Sequence, residues 1–182
     1  QLLKWQTQFA YDPPLAMSVN LSSKQFRQPN LVELIEDLLQ GSGLPAESLK
    51  LEITESIVMG DADSSIEKLS RLKRLNLQLY VDDFGTGYSS LSYLHRFPLD
   101  TLKVDRSFVN RMTAAGDDAK IVQSILLLAR NLGMTVIAEG VETEHQLAQL
   151  RDMGCEQAQG YFFAKPLDSE AMTALIEKKP QW

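Results

Sequence analysis

Leu77-Gln78-Leu79-Tyr80-Val81-Asp82-Asp83-Phe84-Gly85-Thr86-Gly87-Tyr88-Ser89-Ser90-Leu91 is the stretch on which the fold is decided. Its first part, Leu77 to Phe84, is a short run rich in strand formers and reads as a buried β-strand that ends on two adjacent acids. Gly85 and Gly87 then predict a tight turn into a helix capped by Ser89 or Ser90. A glycine-rich phosphate loop is the competing reading, but a lone Gly-x-Gly is weak support for it.

Working outward, the same kind of run recurs at Leu15 to Ser22, Leu49 to Glu55, Thr101 to Phe108, Thr135 to Glu142 and Cys155 to Phe163. Amphipathic stretches lie between most of them. Asn30 with Glu33, Ser64 with Glu67, and Thr143 with Gln146 each have the spacing of a capping box ahead of an apolar helical face. Gly41, Gly43, Gly133 and Gly154 stand where helices should stop, and Met172, Leu175 and Ile176 mark a last helix.

Strand and helix in alternation predict parallel strands joined by helical crossovers, either as an open doubly wound sheet or as a (β/α)8 barrel of the TIM type. Six such runs occupy 182 residues, about thirty per unit, whereas a full barrel takes roughly 250 residues. The chain also opens at Gln1 inside a helical stripe of Leu2, Trp5 and Phe9, a stripe that reads as core. The expectation is therefore one α/β domain over residues 1–182, a TIM-like barrel lacking about two units at its N-terminal side.

Composition narrows the function classes. The chain is 44% hydrophobic and 23% charged with a formal net charge of −6, which suits a soluble globular domain and disfavours long nucleic acid as a partner. The single cysteine, Cys155, can form neither an intrachain disulfide nor a thiolate metal site alone, and reads as a small buried side chain in a reducing compartment. His95 and His145 read as surface residues, so any metal must rely on oxygen ligands. No apolar run is long enough to span a bilayer.

Polar groups close nearly every strand: Asn20, Glu52 with Glu55, Asp82 with Asp83, Lys103, Glu139 and Gln159. A parallel barrel gathers the C-terminal ends of its strands on one face, so these residues are expected around one point. Any one strand-end acid is more often a cap or a surface ion-pair partner, yet six strand ends together need one explanation. Asn20, Glu52, Asp82 and Asp83 are hard oxygen donors that suit Mg²⁺ or Mn²⁺ better than Zn²⁺ or copper. Two ions about 3.5 to 4 Å apart are the usual device for phosphoester cleavage. Lys103 is then expected to offset phosphate charge or position water, and Glu139 to serve as general base.

The same residues carry a family resemblance. Asn20, Glu52-Ile53-Thr54-Glu55, Asp82 through Leu91, Leu102-Lys103-Val104-Asp105, Ala138-Glu139-Gly140-Val141-Glu142 and Gln159 through Pro166 resemble, in order, the motif series of EAL domains, bacterial phosphodiesterases that hydrolyse cyclic di-GMP. The resemblance implies a modified TIM barrel that opens one phosphodiester of cyclic di-GMP to give linear pGpG with Mg²⁺ or Mn²⁺. It implies that Asn20, Glu52 and Asp82 are metal ligands, that Asp83 holds a second metal or water, that Lys103 positions the water and that Glu139 is the general base. It further implies that Glu55 anchors the loop Phe84 to Ser90, which lies near a dimer contact, and that Asp105, Gln159, Gly160 and Pro166 line the substrate. A cytoplasmic location and an upstream sensory or GGDEF-type domain, in a longer protein that is in some cases membrane-anchored, belong to the same implication.

The Glu-Ala-Leu signature of the family's first strand, with its metal-binding glutamate and a nearby phosphate-contacting arginine, is absent from this sequence. Its loss from a longer native chain is the favoured explanation. A non-catalytic cyclic di-GMP receptor is the alternative function, and an unrelated Mg²⁺-dependent barrel enzyme needs the Asp82 to Leu91 match to be accidental.

Overall fold

A computed structural model describes residues 1–60, 62–86, 94–112, 117–180 and 182. Six strands, β1 (Met17–Asn20), β2 (Leu49–Thr54), β3 (Gln78–Phe84), β4 (Thr101–Val104), β5 (Thr135–Ala138) and β6 (Gln157–Ala158), form one parallel sheet in sequence order. The helices among the described residues are α1 (Leu2–Gln8), α2 (Ser23–Phe26), α3 (Leu31–Ser42), α4 (Glu55–Gly60), α5 (Ala62–Arg74), α6 (Arg106–Asn110), α7 (Asp117–Asn131), α8 (Glu144–Asp152) and α9 (Ser169–Lys178). The sequential parallel order, with helices in the crossovers, is the half-barrel architecture of the TIM type.

The two faces of the sheet differ because side chains alternate along each strand. Leu51, Ile53, Leu79, Val81, Leu102, Val104, Val136 and Ala138 are buried on one face. Leu69 and Leu72 of α5, Val122, Leu126 and Ala129 of α7, and Leu147 and Leu150 of α8 belong to the same core cluster. The other face carries Lys50, Glu52, Tyr80, Asp82, Thr101, Lys103 and Thr135. There the Lys50 ammonium lies 5.2 Å from the centre of the Tyr80 ring, and Thr101 and Thr135 share a hydroxyl contact of 2.7 Å. TIM barrels usually fill this face with branched aliphatic layers. A polar inner face here prepares the sheet to carry charge at its C-terminal edge.

Several local expectations are corrected. The fourth run stops at Val104 rather than Phe108 because the Asp105 carboxylate accepts the Ser107 N–H at 3.0 Å and starts α6. The sixth shrinks to two residues, since Gly160 turns the chain back against Val141. Thr143 and Gln146 do form a capping box, as do Ser22 and Gln25, which the hydrophobic pattern did not single out. Asn30 is the N-cap of α3 without a side-chain bond, and Glu33 turns instead to Arg71. Ser64 lies inside α5, which starts earlier with Asp63 in its first turn, where a carboxylate favours the helix N-terminus. Gly41 is helical, and α3 ends at Gly43 with φ of 68°. The expected serine cap at Ser89 or Ser90 lies outside the described residues.

The outer helices meet each other. Trp5 Nε1 of α1 donates to Thr173 Oγ1 of α9 at 2.8 Å, and the Tyr11 hydroxyl donates to the Ile176 carbonyl at 2.7 Å. Leu2 and Trp5 are buried as the stripe predicts, while Phe9 is only half-buried at the end of α1; Cys155 is buried as expected. No helix among the described residues is long and apolar enough to cross a membrane.

Candidate active site

The site grows from an irregularity in the central strand pair. Val81 pairs with Leu102 and Phe84 with Val104, so β3 takes three steps where β4 takes two. Asp82 and Asp83 together therefore oppose Lys103 in a β-bulge, and Asp83 adopts φ of 56°. Adjacent residues of a regular strand point to opposite faces. The bulge brings both carboxylates to the same side, where oxygens of Asp82, Asp83 and Glu139 lie within 4.8 Å of one another.

Lys103 stands at the centre. Its ammonium lies 2.7 Å from Glu52, 2.6 Å from Glu139 and 3.1 Å from Asp82, with only 3% of the side chain exposed. Burial alone pulls a lysine down, but the hydrogen bonds and charges of Glu139 and Glu52 outweigh it and hold Lys103 protonated well above the ordinary lysine range. Burial pushes the Glu139 carboxyl up, aided by the charges of Asp82 and Glu52 and opposed by Lys103. Burial likewise raises Asp83, with Asp82 and Asp105 adding to it and Lys103 and Arg106 resisting. Three carboxylates thus share one ammonium, with Asp83 beside Asp82 and Glu139. The excess negative charge and the all-oxygen donor set fit a hard divalent cation.

The other expected residues fall around this centre. Gln159 Nε2 donates to Glu139 Oε1 at 2.5 Å, which fixes the carboxylate from the β6 side. Glu55, buried at the start of α4, accepts the Gly85 N–H at 3.1 Å and so ties the chain after the bulge to the end of β2. Asn20 ends β1 in register with Glu52 and is exposed, and among the described residues its side chain makes no hydrogen bond to the cluster. Asp105 spends one oxygen as the cap of α6. Gly160 and Pro166 line a cavity of about 400 Å³ that begins at Glu139. At Gly160 any Cβ would fall 2.2 Å from the Val141 carbonyl oxygen, so only glycine permits that approach. Two features escaped the sequence reading: the bulge, and Arg106 on the wall of the same cavity.

The comparisons with known proteins agree with this geometry. The sequence model of the EAL domain matches residues 1–166. Cyclic di-GMP phosphodiesterase NbdA of Pseudomonas aeruginosa is 46% identical over 162 residues, covering 89% of this chain and 21% of NbdA. The bifunctional diguanylate cyclase/cyclic di-GMP phosphodiesterase MucR of the same organism is 42% identical over 160 residues, 88% of this chain and 23% of MucR. The solved PaMucR phosphodiesterase in complex with c-di-GMP superposes with a TM-score of 0.88 at 40% identity, covering 93% of this chain and 68% of that one. The manganese/cyclic di-GMP complex of BlrP1 from Klebsiella pneumoniae gives a TM-score of 0.76 at 35% identity, over 83% of this chain and 39% of BlrP1. The chain spans about a fifth to a quarter of the length of these curated relatives. With its motif residues gathered at the strand ends and the family's sequence model matched over most of its length, this chain belongs to the EAL domain family.

Proposed function

We propose that this chain is a metal-dependent phosphodiesterase domain that opens cyclic di-GMP to linear pGpG. The observation that carries the reading is the imbalance at Lys103: three strand-end carboxylates share one ammonium and a fourth, Asp83, stands beside two of them, an arrangement that a structural ion pair has no use for. Asn20, Glu52, Asp82 and Asp83 are the residues that would hold Mg²⁺ or Mn²⁺, in all two ions. Bound there, such ions supply Lewis acidity and charge neutralisation to a phosphodiester.

The chain's own residues supply the rest. Glu139, raised by burial and its acidic neighbours, is suited to take a proton from attacking water at Oε1 or Oε2. Lys103 and Gln159 fix the orientation of that carboxylate, and Lys103 stays charged to meet a phosphate oxygen. Glu55 holds Gly85 so that Asp83 keeps its bulged position. Asp105, Gln159, Gly160 and Pro166 border the substrate. In the longer protein the domain answers an upstream sensory or GGDEF-type domain, a reading supported by the similarity to the bifunctional diguanylate cyclase/phosphodiesterase MucR. The domain acts in the cytoplasm as a homodimer, and sedimentation checks the latter.

The test is incubation with cyclic di-GMP and Mn²⁺ or Mg²⁺, followed by chromatography for pGpG. Appearance of pGpG only with metal is the expected outcome. Tight nucleotide binding without any product makes the domain a receptor instead, and neither binding nor product sinks both readings.

A further inference from the structure

A second cavity, of about 660 Å³, lies between α2, α4 and α5 and shares no lining residue with the carboxylate cluster. Its wall carries two cations, Arg27 and Lys68, and no carboxylate among the described residues. Glu55 of α4 and Asp63 of α5 are turned elsewhere, to the Gly85 N–H and to Arg96. In a chain of net charge −6 such a wall is an exception. A cleft lined by one sign of charge focuses its field on a ligand of the opposite sign.

Lys68 is held but not neutralised. Its ammonium donates to the Phe26 carbonyl at 2.6 Å and to the Gln28 carbonyl at 3.2 Å, and lies 5.2 Å from the centre of the Phe26 ring. Tying the end of α2 to α5 thus uses two of its three donors. The third donor and the full positive charge stay available, since no ion pair among the described residues involves Lys68 or Arg27. Arg27, exposed at the C-cap of α2, brings to the same wall a planar fork suited to phosphate.

The rest of the lining suits a phosphate ester better than a bare ion. Ser23, Ser56, Ser64 and Ser65 add hydroxyls, and the last two lie in the first turn of α5, where the helix dipole favours negative charge. Phe26 and Ile57 supply apolar surface for an organic group, and the volume falls within the range of small-molecule sites. Ser56 and Ile57 directly follow Glu55 in α4, and Glu55 holds Gly85 after the bulge. A ligand against the first turn of α4 therefore bears on the anchor of the strand-end acids.

We propose that this cavity is a regulatory site that takes a small phosphate monoester between Arg27 and Lys68 and transmits its occupancy through α4 to Gly85. The inference does not depend on what the strand-end site cleaves.

The experiment titrates phenyl phosphate, and separately inorganic phosphate, into the isotope-labelled chain in EDTA at fixed ionic strength, following amide resonances by NMR. Without metal the carboxylate cluster repels both anions, which keeps the two sites apart. The amides of Ser56, Ser65 and Gly85 are expected to move on one saturating curve, and phenyl phosphate to saturate at the lower concentration because its ring adds buried apolar area. Arg27→Ala is expected to weaken binding by about 3- to 10-fold, the worth of an exposed charged contact, and Arg27→Glu to remove it. Lys68→Met should weaken it more than Arg27→Ala; because that change also unties α2, Arg27→Glu decides if the Lys68→Met variant fails to fold. Absence of saturation, equal affinity for the two probes, undiminished binding by the Arg27→Glu variant, a Gly85 amide that stays still, or shifts centred on Lys103 and Glu139 would each overturn the inference.

Discussion

The two ends of the same strands use charge in opposite ways. At the N-terminal end of β4, the Asp100 carboxylate meets one ammonium, Lys73 at 2.8 and 2.9 Å, and one amide, Leu79 N–H at 2.8 Å. Every donor has its acceptor, and the effect is to pin the starts of β3 and β4. Three residues on, Lys103 is shared among Glu52, Asp82 and Glu139, with Asp83 alongside. Balanced charge marks a joint in the scaffold. Unbalanced charge marks a place prepared for something not supplied by the chain.

The contrast breaks first, if it breaks, at Glu139. Glu139→Gln should lower turnover of cyclic di-GMP by about 10²–10⁴-fold, the usual worth of a general base, while calorimetry still shows nucleotide binding. Parallel loss of binding and turnover would mean that Glu139 shapes the site rather than moving a proton.

Next comes Lys103→Met, which leaves buried carboxylates with no cation. Denaturant unfolding of the metal-free protein should show a loss of about 3–5 kcal/mol, the cost typical of orphaning a buried charge. Added Mn²⁺ should restore more of it than in the unsubstituted chain. At the opposite end, Asp100→Asn should cost about 1–3 kcal/mol, since its partners keep some of their bonds, and the stabilisation by Mn²⁺ should stay as it was. If the two variants respond alike to metal, the division between balanced and unbalanced ends fails.

Acidity sharpens the same point. Glu139 and Asp83 titrate above their ordinary values of 4.5 and 3.8, so the folded state holds these protons more firmly than the unfolded chain. Their contribution favours folding at low pH and is lost as pH rises from those values through the raised ones. Melting of the metal-free protein should therefore gain less as pH rises above 4.5 than that of Glu139→Gln. Lys103 works in the reverse sense: its stabilisation is complete below its ordinary 10.5 and disappears as pH climbs through its higher folded value. The smallest effect belongs to the surface. Glu33→Gln removes an exposed pair with Arg71 and should change unfolding free energy by under about 0.5 kcal/mol.

Much of this was legible before any coordinates. All six strands lie within the apolar runs, and the residues that meet at Lys103 are the ones that end them. Periodicity shows where a strand exists, but its end depends on what the next residue does. Asp105 reads as the polar tail of a strand and proves to be a helix cap because its carboxylate finds the Ser107 N–H. The bulge was hidden for a related reason. Asp82 and Asp83 in a regular strand cannot share a face, and only pairing with β4 reveals the extra residue. Arg106 is hard to read from sequence because a cation beside a strand-end acid looks like that acid's partner, whereas Asp105 turns to the Ser107 N–H.

The clasp between Trp5 and Thr173 has a kinetic meaning. Those two side chains are 168 positions apart, and the whole sheet lies between them in the chain. Contacts of such long range are closed against a large loop entropy and slow the folding of topologies that depend on them. Docking of α1 on α9 is thus expected to come after the six strands have formed, which refolding followed by Trp fluorescence and by far-UV circular dichroism would check. Burial of the Trp5 indole should then report docking of α1 on α9, separately from formation of the strands themselves.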